Sequence, residues 1–143
     1  MKKCLLALSF LALSIGINAQ ITIMATSTDY FDAGETETPS FSEDKTQIFN
    51  ISMQDNIFVH NIIAADGITV EDSQLYTIIS KKEDDETTTI LKTKSGLSGN
   101  VYVYYLILND AGNYVLIQYF EDDGSMARFN GYHSRLKTII QED

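Results

Sequence analysis

Apolar and polar residues alternate along most of this chain with a period of two, the repeat of a strand that buries one face. Phe49, Ile51 and Met53 interleave with Asn50, Ser52 and Gln54, and the turn residues Asp55 and Asn56 follow. Residues 57–63 then read as the return strand. Ala65-Asp66-Gly67 turns the chain into a short extended piece at 68–70, and 75–80 is a further strand. A charged turn is expected at 81–86, then a β-rich segment at 87–93. The final signals are strands at 101–108, 114–120 and 126–130, with turns at 96–100, 110–113 and 122–124. These late turns fall about 12 to 13 residues apart, the spacing of an antiparallel meander. Near the start, Ile21 to Ala25 forms a first strand, and 26–46 reads as a long polar loop held down by Tyr30, Phe31 and Phe41. After Ser134, the residues Leu136, Ile139 and Ile140 suit either a short helix or a last strand.

No gap is long enough for a crossover helix, so a parallel sheet is not expected. The segment 101–108 carries apolar or aromatic side chains on both faces: Val101, Val103, Tyr105 and Ile107 on one, Tyr102, Tyr104, Leu106 and Leu108 on the other. A strand of that kind needs cover on both sides. The fold expected is therefore all-β, an antiparallel meander of about seven to eight strands curled into a small barrel or a two-layer sandwich. The 101–108 and 114–120 hairpin is expected at the centre of the sheet, so that Ile117 carries more of the stability than Ile23.

The first nineteen residues depart from this pattern. Lys2 and Lys3 precede an apolar run from Leu5 to Ile17, too short to span a bilayer, which ends at Asn18-Ala19. This is the form of a cleavable export signal, with residues 20–143 left as a single β domain. Cys4 stands before the apolar run, where a lipoprotein would need it after, so a lipid anchor is not expected. Cleavage after Ala19 removes the only cysteine and leaves 124 of the 143 residues. That length buries roughly two-thirds of its unfolded surface without a covalent staple. It also removes Lys2 and Lys3, taking the net charge from −10 to −12. Such acidity disfavours nucleic acid and anionic membrane surfaces. The expected location is the periplasm or the medium.

The signal ending, the Ile/Thr strand after it, the polar loop with Tyr30 and Phe31 and the Gly/Asp/Asn hairpins together resemble small exported bacterial β proteins. More distantly they are similar to lipocalin-like meanders. The chain has no Trp, so the Gly-x-Trp signature of true lipocalins is missing, and the resemblance assigns no functional residue.

Chemistry-bearing motifs are sparse. His60 and His133 would need a third ligand from the acids to hold zinc, and an isolated strand histidine is more often a packing or surface residue. Gly96-Leu97-Ser98-Gly99 lacks one residue of a nucleophile elbow and its strand-to-helix setting, so it reads as a hairpin loop. Asp110-Ala111-Gly112-Asn113 and Asp122-Asp123-Gly124 offer oxygens to calcium but not the spacing of a calcium loop, and hairpins need those residues anyway. Asn50-Ile51-Ser52 matches a glycosylation sequon, inert in a bacterial context. No cofactor and no metal are expected. The function expected is a non-catalytic binding or interaction module for an unknown protein or small ligand. The alternatives are a small-ligand carrier with an apolar barrel cavity and a carboxylate-dependent hydrolase. Tyrosine combines an apolar ring with a polar tip, so Tyr102, Tyr104, Tyr114 and Tyr119 are the candidate binding surface.

Overall fold

A computed structural model of the chain describes residues 20–135, with side chains placed as far as residue 131. The export signal expected at 1–19 and the tail residues Leu136, Ile139 and Ile140 lie outside the described residues. The described chain forms eight strands: β1 (Gln20–Phe31), β2 (Phe41–Ser52), β3 (Ile57–Ile63), β4 (Val70–Glu83), β5 (Thr88–Ser95), β6 (Val101–Leu108), β7 (Tyr114–Tyr119) and β8 (Met126–Arg135). Each pairs antiparallel with the next, and β8 pairs with β1, so the meander closes into a small barrel. Closure leaves no outer strand without neighbours. It also leaves no central one, so the expected privileged position of the β6–β7 hairpin does not exist.

The barrel has two distinguishable ends. The loops at 32–40, 64–69, 96–100 and 120–125 gather at one, called here the mouth, and the other holds Gln20, Arg135 and the remaining turns. Inward positions in the half away from the mouth are almost all apolar. Ile23, Phe49, Ile51, Phe58, Leu91 and Leu116 are fully buried, and Phe49 packs on Phe129 with ring centroids 4.6 Å apart. Tyr104 lies at the same distance from Phe58. These side chains plug the barrel axis. On β6 and β7 the inward set is Tyr102, Tyr104, Leu106, Tyr114, Leu116 and Gln118, whereas Val103, Tyr105 and Ile117 are on the outward face, where Val103 is nonetheless buried. Ile117 is only half-buried and Ile23 has no exposure at all, which reverses the expected order of their importance.

The polar stretch 26–46 is mostly strand rather than loop. β1 runs on to Phe31 and β2 begins at Phe41, so the connection is only nine residues, 32–40. The strand pair extends there because its cross-strand partners are hydrogen-bonding side chains. Asp29 accepts from Ser42 (2.6 Å), Arg128 (2.9 Å) and Asn130 (2.9 Å). The Ser42 hydroxyl, then Arg128 and Asn130, hold the Asp29 carboxyl below its ordinary range. Likewise the charged segment expected as a turn at 81–86 belongs to β4 as far as Glu83, which pairs with Thr89.

Candidate functional site

Toward the mouth the barrel interior changes character, because inward positions are occupied by hydrogen-bonding residues. Counting back by two from buried Phe49 reaches Gln47 on β2, and counting forward by two from buried Phe58 reaches His60 on β3. The period that builds the apolar plug therefore also aims these polar groups inward. Thr28 joins them through a β-bulge. The register between β1 and β2 shifts between Ala25 and Ser27, so the inward face passes from odd to even positions on β1. Thr28 has no exposure and Gln47 is buried.

These three side chains form one chain of hydrogen bonds. Gln47 Nε2 donates to Thr28 Oγ1 over 2.8 Å, and Gln47 Oε1 lies 2.7 Å from His60 Nε2. An amide oxygen can only accept, so His60 Nε2 carries the ring proton and Nδ1 is left as an acceptor. The His60 ring stacks on Phe49 at 4.3 Å with the planes 15° apart. Burial lowers the His60 pKa to about 4, and Lys45 adds to the depression while Asp72 opposes it. At neutral pH the imidazole is therefore uncharged.

A second chain lies alongside on β4, where Gln74 sits directly opposite His60. Tyr76 donates its hydroxyl proton to Gln74 Oε1, and Gln74 Nε2 donates to Asp72 Oδ2 over 2.8 Å. Tyr102 meets the Tyr76 ring edge-on at 5.7 Å. Burial, with Tyr102 and Asp72 nearby, raises the Tyr76 pKa, so its hydroxyl remains a donor. Above this layer β1 and β2 place Tyr30 and Phe41, stacked at 5.7 Å, and Glu43. Burial first and then the Glu43 charge raise the pKa of Tyr30.

The four tyrosines expected to form a binding surface do not form one. Tyr104 is 2 % exposed and belongs to the core, where burial, Tyr76 and Tyr102 push its pKa far up. Tyr114 is half-buried against the core in the half away from the mouth. Tyr119 is outside, edge-on to Tyr105 at 6.1 Å. Only Tyr102 borders the polar layer. The reason is the strict alternation of a strand: even positions of β6 and β7 face in, odd ones face out. Gln47, Gln74 and Thr28 escaped sequence reasoning because inward polar residues look the same as solvent-facing ones, and Asp72 is itself exposed. For Gln47 the parity relative to Phe49 was the available signal.

None of the described acids is buried, although Asp29 and Glu43 are partly covered. Among the described residues no three or more His, Cys, Asp or Glu side chains converge as metal ligands, and no described helix is long and apolar enough to cross a membrane. The acidic turns serve their own backbones. Asp66, Asp85 and Asp123 accept from amides two or three residues ahead, and Glu35 accepts from those of Thr36, Glu37 and Thr38. Comparison of the chain with family models, curated proteins and solved structures finds no match.

Proposed function

We propose that this protein is an exported, non-catalytic binding module that takes a small ligand with an aromatic body and a polar group at the barrel mouth. The reading rests on one observation above all. Two hydrogen-bonded chains, Thr28–Gln47–His60 and Tyr76–Gln74–Asp72, run side by side over an apolar plug, the second leading from the inner wall out to the exposed carboxylate of Asp72 at the rim. A barrel interior made only for stability is filled with apolar side chains, since a buried polar group repays its desolvation only when it is fully bonded. Here a neutral imidazole acceptor and the Tyr102 phenol border the layer, and aromatic faces line it. Ligand sites commonly combine aromatic walls with a few placed polar groups. The apolar plug below keeps the ligand at the mouth, in contrast to the deep apolar cavity of a carrier. The non-catalytic reading is supported by the acids themselves: carboxylate chemistry needs two acids held together with shifted proton affinities, and none of the described acids is buried against another. The export half of the reading rests on the Lys-Lys start and the apolar run that ends at Ala19.

The chain has no Trp, so 2-naphthol fluorescence can be followed without indole background. Titrating 2-naphthol should give saturable binding that weakens at least fivefold in both Tyr102→Phe and His60→Gln, and is unchanged in Leu97→Ala on an exposed loop. Equal binding by all four proteins would place the probe elsewhere and remove the mouth as the site.

A further inference from the structure

A second feature lies beside the mouth and stands without the reading above. β2 is paired with β1 from Ser52 with Gln20 to Phe41 with Tyr30, interrupted only by the bulge, where Lys45 and Thr46 have no β1 partner. Its ladder with β3 covers only Thr46 to Ser52, because β3 ends at Ile63. Residues 41–44 therefore have a strand on one edge and none on the other, and Lys45 follows in the bulge with no partner in either ladder. In an antiparallel ladder successive residues direct their N–H and C=O groups to alternate edges. About half of the backbone groups over these five residues, a span of roughly 16 Å, point into the gap.

The chain after Ile63 does not fill this gap. The β3–β4 turn closes on itself, with Ala64 N donating to Thr69 O (2.8 Å) and Gly67 N to Ala64 O (3.0 Å). Asp66 takes up the amides of Ile68 and Thr69. Between this turn and the free edge lies a cleft of about 480 Å³, walled by Glu43, Asp44 and Lys45 on one side and by Ile63, Ala65 and Glu71 on the other. The cleft continues the line that β3 would follow had it not turned away.

We infer that residues 41–45 are an acceptor edge for strand addition, and that the occupant is an extended basic peptide. The backbone supplies the first half of the argument, since strand addition draws its affinity from main-chain hydrogen bonds and its selectivity from alternate side chains. Charge supplies the second half. The cleft is lined by three carboxylates, of Glu43 and Asp44 on one wall and Glu71 on the other, against a single ammonium, that of Lys45. A second copy of this chain is disfavoured by the same charges. Antiparallel self-pairing centred on this segment sets Glu43 opposite Glu43, and like charges directly opposite destabilise a pair. Charged residues on an exposed edge ordinarily block self-association. Here they leave the edge open to a partner of opposite sign. Alternating positions of the incoming strand would place one basic side chain on the Glu43 face and the next on the Asp44 face.

The test uses the purified protein and three six-residue peptides, acetylated and amidated. One alternates lysine and valine, one alternates glutamate and valine, and one is the lysine–valine peptide with alternate backbone nitrogens methylated. Calorimetry should show binding of the first only. Amide exchange at residues 41–45 should slow on its addition. N-methylation should weaken binding at least tenfold, as should the double variant Glu43→Lys, Asp44→Lys. Equal binding of the N-methylated peptide would mean charge attraction without strand pairing, and would overturn the inference. So would equal binding of the glutamate peptide, no binding of the lysine peptide, or unchanged exchange at 41–45. A concentration-dependent dimer that protects the same amides would give the edge to a second copy and equally overturn it.

Discussion

At the scale of single residues, the barrel sorts side chains by which side of the wall they meet, whatever their type. Ile23 and Ile117 show the consequence. Ile23 is sealed inside with no exposure, whereas Ile117 is half-buried on the outer wall between Tyr105 and Arg128. Removing a fully buried aliphatic side chain costs the lost transfer energy plus a cavity, so Ile23→Ala should cost about 3–4 kcal/mol and Ile117→Ala about 1 kcal/mol. Denaturant melts of the two variants compare them directly, and a larger loss in Ile117→Ala would show that the outer wall is covered. His60 gives a prediction of a different kind. Its folded pKa is near 4, below the unfolded value of 6.5, so the fold favours the neutral ring. Stability from this group is fully present above pH 6.5. As pH falls from 6.5 to 4 the unfolded chain takes up the proton first, and up to about 3 kcal/mol is lost. Melts of wild type and His60→Phe between pH 7 and 4 should diverge over that window, with the wild type the steeper. A histidine resonance that titrates with a midpoint near 6.5 in an NMR experiment on His133→Asn would remove the effect.

At the scale of elements, strands with a single apolar face were legible in the sequence and strands held by polar pairs were not. β3 and β6 coincide with the segments read from the sequence, β3 because turn residues bracket a largely apolar run and β6 because apolar or aromatic side chains fill both of its faces. The mouth ends of β1 and β2 were hidden for a physical reason. Their inward residues are Thr28, Gln47 and Glu43, their outward ones are Ser27, Asp29, Ser42 and Asp44, and a bulge changes the parity midway. A pattern without apolar contrast resembles a loop even when its backbone is fully paired. The candidate site falls in that illegible stretch and on β4 opposite His60, whereas the tyrosine-rich hairpin stands out in the sequence by its apolar residues on both faces. The bulge also sets a packing limit. Gly131 of β8 lies opposite Ala25, and a Cβ built on it would overlap the Met24 carbonyl oxygen and come within 2.7 Å of Ala25 Cα. Backbone cannot yield as a flexible side chain would, so Gly131→Ala should pry β8 from β1 and cost about 3 kcal/mol, the upper end for overpacking. Gly112→Ala makes the useful contrast. Its φ is +82° but nothing lies within 4 Å of an added Cβ, so the cost is about 1–2 kcal/mol of left-handed strain. Urea melts should rank the two in that order, and a silent Gly131→Ala would mean that the β1–β8 seam is loose.

At the scale of the whole molecule, stability depends on closing one ring. β1 and β8 are the most distant strands in sequence, yet they share ten register pairs from Ile21–Arg135 to Phe31–Met126. β7 and β8, neighbours in sequence, share only four. Local hairpins therefore cannot complete the core by themselves. Ile21, Ile23 and Ala25 on β1 must meet Ala127 and Phe129 on β8 before the plug around Phe49 is sealed. Contacts of such long sequence separation make folding slow and cooperative, because loop-closure entropy is lost before the contacts form. No covalent staple assists the closure, since Cys4 is the only cysteine and stands ahead of Gln20. A protein of residues 20–143 should therefore unfold in a single transition, with near- and far-ultraviolet signals superimposed. Its midpoint should not move on adding a thiol reductant, nor on adding a chelator, since the carboxylates of Glu35, Asp66, Asp85 and Asp123 are engaged by their own backbone amides. A midpoint that drops by several degrees with chelator would mean that the acidic turns hold a cation and that the ring is closed with its help. Two separate transitions would mean that the four-pair β7–β8 seam opens before the rest, and that the core is not the single unit its packing describes.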